Sequence, residues 1–343
     1  MIKYKINLLN IAMAFTAAIA LYSCSSSDDS TTKEEDNTPP TISYNYSDVT
    51  KVIDFKPAAG QFTNDIPKYV KGDTEEEMKK KALKAISGKG PSLVSLGGFG
   101  GYIVVGFDET IKNVEGLRDF KVLGNAFWAN SNPNSNATNR GGSCEPGVIM
   151  VAYDANKNGV PDEDEWYEIA GSEHTNSETI ANYSITYHKP DPNKAPVIDT
   201  INKWATDIEY IKWEDNQGQS GYMPKNTYHQ QNYFPEWINE DKITFTGTKL
   251  PNNAIDESGK GTYWVLYSFD YGYADNAPNN DDESAIDINW AVDRAGKKAN
   301  LPGVDFIKIY TGVNQQAGWL GETSTEVSGV IDLHKAKVTI PTR

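Results

Sequence analysis

Residues 147–169 read GVIMVAYDANKNGVPDEDEWYEI, and the fold follows from how this stretch is parsed. Gly147 to Tyr153 is a short, continuous apolar run with β-branched residues and turn formers at both ends, the pattern of a buried strand. Trp166-Tyr167-Glu168-Ile169 favours strand again. The acidic segment between them therefore joins two strands.

That segment, Asp154 to Glu165, fits the calcium-loop pattern D-x-[DN]-x-[DN]-G-x5-E at every specified position. The spacing lets Asp154, Asn156 and Asn158 project alternate oxygens inward, while Gly159 permits the sharp turn and the Val160 carbonyl supplies a further ligand. Asp162 contributes directly or through water, and Glu165 closes the shell with two oxygens. Hard oxygen donors without His or Cys select Ca²⁺ over Zn²⁺. Strands on both sides and Pro161, which lacks an N–H, separate the segment from an ordinary EF-hand. The expectation is a calcium-stapled hairpin with a structural role, in the ~0.1–1 mM range of extracellular sites. The alternative is a metal-free turn rich in Asn and Asp.

Eight further runs of the same kind flank it: 93–96, 102–107, 119–124, 183–187, 243–248, 263–267, 286–292 and 306–311. With no helical pattern between them, they predict a mostly β chain, an antiparallel β-sandwich of jelly-roll type. One N-terminal helix stands out. Thr74 and Glu77 form a capping box, Met78, Ala82, Leu83 and Ile86 make an apolar stripe, and Gly88 stops it. The Gly97–Gly101 run, between two strands, reads as a tight hairpin. No composition break divides residues 41–343, which are expected to form a single ligand-binding domain. The polar stretches 128–143, 188–232 and 270–284 exceed ordinary hairpin loops and are candidate binding loops.

The chain has 343 residues, a formal net charge of −15, 23% charged residues, two Cys and four His. Such an excess of acid disfavours nucleic acid, whose phosphates need surplus Lys and Arg. Lys3 and Lys5 precede an apolar run from Ile6 to Ser23 that is too short for a membrane span, so residues 1–23 read as a signal peptide. Leu21-Tyr22-Ser23-Cys24 resembles a bacterial lipobox, which makes Cys24 the lipidated mature N-terminus. Residues 24–40 are polar, end in two prolines and read as a disordered tether. Ser27-Asp28-Asp29 resembles the acidic surface-export signal of Bacteroidota lipoproteins and implies a lipid-anchored position on the outer membrane, facing outward. Cys144 is then the remaining thiol, expected as a buried small residue.

Candidate binding residues cluster in 204–237, where Trp204, Trp213, Tyr222, Tyr228, Tyr233 and Trp237 alternate with Asn, Gln and Gly. Flat rings beside amide donors suit a large polar ligand with apolar patches, such as a sugar chain or a corrin ring with amide side groups. The competing expectation is that some of these rings roof the core. The sequence lacks the common nucleophile, zinc-protease, phosphate-loop and dinucleotide motifs, so a binding module is expected rather than an enzyme. Carboxylate pairs for glycoside hydrolysis are a question of three-dimensional separation. The acidic region holding Asp270, Asp275, Asn276, Asp281, Asp282, Glu283 and Asp287 has no recognisable ligand spacing and reads as a solvated loop, with a second metal site as the alternative.

Three segments, VSLGGFGGYIVVGFD at 94–108, DEDEWYEIAGSE at 162–173 and GWLGETSTEV at 318–327, resemble a family of Bacteroidota cell-surface lipoproteins encoded in vitamin B12 uptake loci. The likeness runs over nearly the whole mature chain. It implies capture of cobalamin or a related corrinoid and hand-over to an outer-membrane TonB-dependent transporter. The alternatives are a calcium-stabilised carbohydrate-binding lipoprotein and a secreted glycosidase.

Overall fold

Side chains that alternate between two faces build the centre of the molecule. A computed structural model describes residues 45–130, 134 and 136–343. The signal peptide 1–23, Cys24 and the tether 24–40 lie outside the described residues. Six antiparallel strands form the central sheet in the order Ala291–Val292, Trp166–Ile169, Gly147–Ala152, Gly303–Thr311, Tyr102–Lys112, Lys51–Lys56. Its middle register pairs Ile307 with Val151 on one side and Val105 on the other. One face carries Ile103, Val105, Ile149, Val151, Ile307 and Ile309, all fully buried. Each such side chain contributes about 1.5–3 kcal/mol of transfer free energy. Helix α1 (Glu75–Ile86) covers that face with Met78, Ala82 and Ile86, beside Phe120, Val122 and Val330 of a three-stranded sheet. The Thr74–Glu77 capping box is formed as its sequence requires.

The opposite face presents Tyr102, Val148, Met150 and Tyr310 to Leu250, Phe269, Tyr273 and Val313. Beyond Tyr102 lies a four-stranded sheet, ordered Ser220–Asn226, Ala205–Asp215, Ile180–His188, Lys242–Lys249. Its core joins Tyr183, Ile185, Tyr187, Ile211, Met223 and Phe245 to Phe99 from the glycine-rich turn. A second four-stranded sheet sets Trp264–Tyr267 between Ala254–Asp256 and Gly141–Ser143, with Phe127–Trp128 at its edge.

The mostly β, antiparallel, one-helix expectation therefore holds among the described residues. A jelly roll's division into two sheets does not: the strands of the described residues form six separate sheets. The glycine-rich turn shows why. Val94–Ser95 pairs with Glu326–Val327, whereas Tyr102–Lys112 joins the central sheet, so Gly97–Gly101 carries the chain between sheets and closes no hairpin. The backbone passes itself so closely there that a Cβ on Gly101 would lie 1.9 Å from the Leu96 carbonyl oxygen. The polar stretch 188–232 is likewise corrected. It contains the hairpin Ala205–Asp215/Ser220–Asn226, disguised by Glu209, Lys212 and Glu214 on its outer face.

Candidate ligand-binding site

After Thr311 the chain leaves the central sheet and doubles back at Gln316–Glu322. Ala317 N–H donates to the Gly321 carbonyl at 2.8 Å, and a single 3₁₀ turn, Gly318–Leu320, sits at the tip. Gly318 (φ +56°) and Gly321 (φ +97°) occupy the left-handed region, and both are sterically pinned. A Cβ on Gly318 would lie 2.3 Å from Trp264 Nε1, and one on Gly321 2.4 Å from Gln61 Oε1. The turn thus holds Trp319 outward, 43% exposed. Gln315 anchors its base, accepting from Asn253 N–H at 3.0 Å and donating to Thr323 Oγ1 at 2.9 Å.

Two hollows flank this segment, and Glu322 and Thr323 line both. The first, about 400 Å³, is lined by the rings of Trp213, Tyr222 and Trp264, with Phe99 beneath, and by the side-chain amides of Asn252, Asn314, Gln315 and Gln316. Trp213 lies across Gly221, where a Cβ would come within 2.7 Å of its ring. Lys194 Nζ stands 5.3 Å over the Tyr222 ring, and Asn314 donates to Tyr183 Oη at 3.2 Å. Rings to cover apolar faces and amides to meet polar edges fit a neutral, amide- or hydroxyl-bearing ligand. The second hollow, about 340 Å³, has Trp319, Tyr228 and His229 at its rim and Gln61, Glu145 and Glu322 in its lining. Burial raises the Glu322 carboxyl to about 8, against the bond from Gln61 N–H that favours its charged form.

The predicted aromatic set divides. Trp213 and Tyr222 line the first hollow and Tyr228 the second. Tyr233 is fully buried in the core, and its hydroxyl accepts from Asn226 N–H at 2.9 Å, so it is corrected to a structural residue. Trp237 is half-buried and stacks with Phe55 and Tyr69, both at 6.1 Å, roofing the core. Trp204 is half-buried and lines neither hollow. Sequence reasoning missed Trp264 and Trp319. The first lay inside a run read as a strand; the second was visible only in the phrase GWLG, whose glycines force the turn.

The calcium-loop residues do come together. Asp154 accepts from the N–H groups of Asn158 at 3.0 Å and Gly159 at 2.8 Å. Asn156 and Asn158 both donate side-chain amide hydrogens to Asp162 Oδ2, at 2.6 and 2.8 Å. Glu165 accepts from Ala155 N–H and Asp162 N–H at 2.9 and 3.1 Å, and Val160 is exposed. The donor set is of the hard-oxygen class that calcium takes; the side-chain oxygens of Asn156 and Asn158 accept the N–H groups of Asn158 and Val160, both at 2.9 Å. The ring is closed by its own hydrogen bonds.

The acidic region 270–287 is not uniformly solvated. Asp275, Asn276 and Asp287 are buried, and Asn276 caps Phe269 through both its backbone N–H and carbonyl, each at 2.7 Å. Cys144 is buried, and burial pushes its thiol up, away from nucleophilic use. No family model matches the sequence, and no curated protein is significantly similar to it.

Proposed function

We propose that the chain is a lipid-anchored, outward-facing outer-membrane receptor that captures a corrinoid without transforming it and presents it to a TonB-dependent transporter. The observation that carries this reading is the first hollow, where Trp213, Tyr222 and Trp264 converge with the amide side chains of Asn252, Asn314 and Gln316. A corrin macrocycle has an apolar ring edge and a fringe of amides, the two features such a lining complements. Because Glu322 and Thr323 border both hollows, a ligand larger than either can lie along the 315–324 segment and enter both. The scaffold is read as sandwich-like at this point, the central sheet meeting the four-stranded sheet through Tyr102 against Phe245 and Tyr310 against Gly247. Calcium held by residues 154–165 would staple the central hairpin away from the ligand.

A carbohydrate ligand is the second reading, favoured by Tyr228 and Trp319, exposed rings beside the Glu145 and Glu322 carboxyls. Tryptophan fluorescence of the full chain in detergent separates the two. A corrinoid absorbs in the emission band and quenches Trp213 and Trp264 saturably, whereas an oligosaccharide panel leaves emission unchanged. Saturable change with a glycan and none with cyanocobalamin would reverse the choice.

A further inference from the structure

Two buried polar atoms are left without partners at a single turn. Among the described residues, Trp264 Nε1 and Gln61 Oε1 are buried and have no hydrogen-bond partner. Asp48 Oδ1 and Arg118 Nε share that condition, but Asp48 has the Lys335 ammonium at 3.0 Å and the Arg118 guanidinium lies 5.6 Å over the Trp290 ring. What faces Trp264 and Gln61 is glycine. A Cβ on Gly318 would lie 2.3 Å from Trp264 Nε1 and one on Gly321 2.4 Å from Gln61 Oε1, so the bare Cα groups of one turn press on both atoms. A Cα–H is a weak substitute for the donor that Gln61 Oε1 lacks, and none for the acceptor that the Trp264 N–H lacks. Leaving such groups buried and unpaired is unfavourable, and water satisfies both once the turn lifts.

The turn is also lightly held. Trp319 and Leu320 are 43% and 38% exposed, so its own large side chains bury little apolar surface. Two side-chain amides fasten it from outside: Gln61 Nε2 donates to the Leu320 carbonyl and Asn226 Nδ2 to the Trp319 carbonyl, both at 2.7 Å. Its base is firmer, with Gln315 bonded to Asn253 N–H and Glu322 to Gln61 N–H. A segment with few buried apolar contacts between anchored ends opens locally, well below the free energy of global unfolding. Its place gives that opening a use. Ala317, Trp319 and Gly321 wall the second hollow, while Gly318 covers the pyrrole edge of Trp264, which lines the first.

We propose that Ala317–Gly321 is a cap over the two hollows that opens in the ligand-free protein, turning on Gln315 and Glu322 and exposing the Trp264 N–H donor and the Gln61 Oε1 acceptor where the hollows join. What enters beneath the cap rests on the receptor reading; the opening itself does not.

The test therefore uses no ligand, so that its failure and a failed corrinoid titration are separate results. The full chain in detergent carries isotope-labelled tryptophan, and the Trp264 indole signal is identified by its loss in Trp264→Phe. Exchange of that hydrogen in heavy water is followed against urea. The cap predicts exchange at least about a hundredfold faster than global unfolding permits, and unchanged by low urea, because local opening exposes little surface. Gly318→Ala, whose Cβ meets the indole at a left-handed position, should speed it at least about tenfold beyond any change in global stability. Exchange that follows global unfolding in its urea dependence, or that Gly318→Ala leaves unchanged, would overturn the proposal. If Gly318→Ala does not fold, the wild-type urea series decides alone.

Discussion

The carboxyl of Glu322 accepts the backbone N–H of Gln61 at 2.6 Å, joining positions 261 residues apart. This bond closes the wall that the two hollows share. Burial raises the same carboxyl to about 8. A carboxyl raised in the native state binds its proton more tightly there than in the unfolded chain, so its contribution is complete below the ordinary value of 4.5. That contribution is lost as pH climbs through about 8. Melting curves should therefore fall between pH 5.5 and 8.5, with a slope from this group of up to about 1.4 kcal/mol per pH unit. Glu322→Gln, which cannot ionise, should flatten the slope; an unchanged slope contradicts the assignment.

Trp213 is supported from below by Gly221 and faces the first hollow. Trp213→Ala should weaken corrinoid binding at least tenfold, about 1.4 kcal/mol, with little change in melting temperature. Trp204→Ala should alter affinity less than twofold. Equal losses from both would place the ligand elsewhere.

Residues 154–165 supply a stability test. If calcium is held there, EDTA lowers the melting temperature and Asp154→Ala removes that part of the shift, with about 2.7 kcal/mol expected at a hundredfold excess over Kd. Differential scanning calorimetry of both proteins with and without chelator reads it. Equal chelator shifts in wild type and variant would leave the loop as a metal-free turn.

Phe99 is fully buried where the glycine-rich turn meets the four-stranded sheet, edge-on to Tyr183 at 4.9 Å. Phe99→Ala should cost about 3–5 kcal/mol in urea unfolding. Because the adjoining Gly98 also lines the first hollow, ligand affinity should fall together with stability. A cost below about 1 kcal/mol would mean that this turn does not support the site.

Local signals carried well from sequence to structure, and long-range ones did not. Most of the short β-branched and aromatic runs became strands because they pack against core on one or both faces, whereas 286–292 is broken by the 3₁₀ turn Ile288–Trp290; the Thr74–Glu77 box became a helix cap because its partners are three residues apart. The six-sheet arrangement was invisible because it depends on Gly97–Gly101 crossing between sheets, a matter of pairing rather than pattern. The ring-rich segment was half legible. Trp213 and Tyr222 face the hollow and Tyr233 faces the core, yet all three have the same composition around them. Glu145, Asp275 and Glu326, whose carboxyl oxygens lie within 4.8 Å of one another, had no spacing to read, since they meet only through tertiary packing.

Calorimetric titration of the full chain in detergent with cyanocobalamin tests the receptor reading most directly. Saturable heat at one ligand per chain, with Kd tighter than ~10 µM and the cobalamin recovered chemically unchanged, is the predicted result. Absence of heat across that range, or recovery of an altered corrinoid, would contradict it.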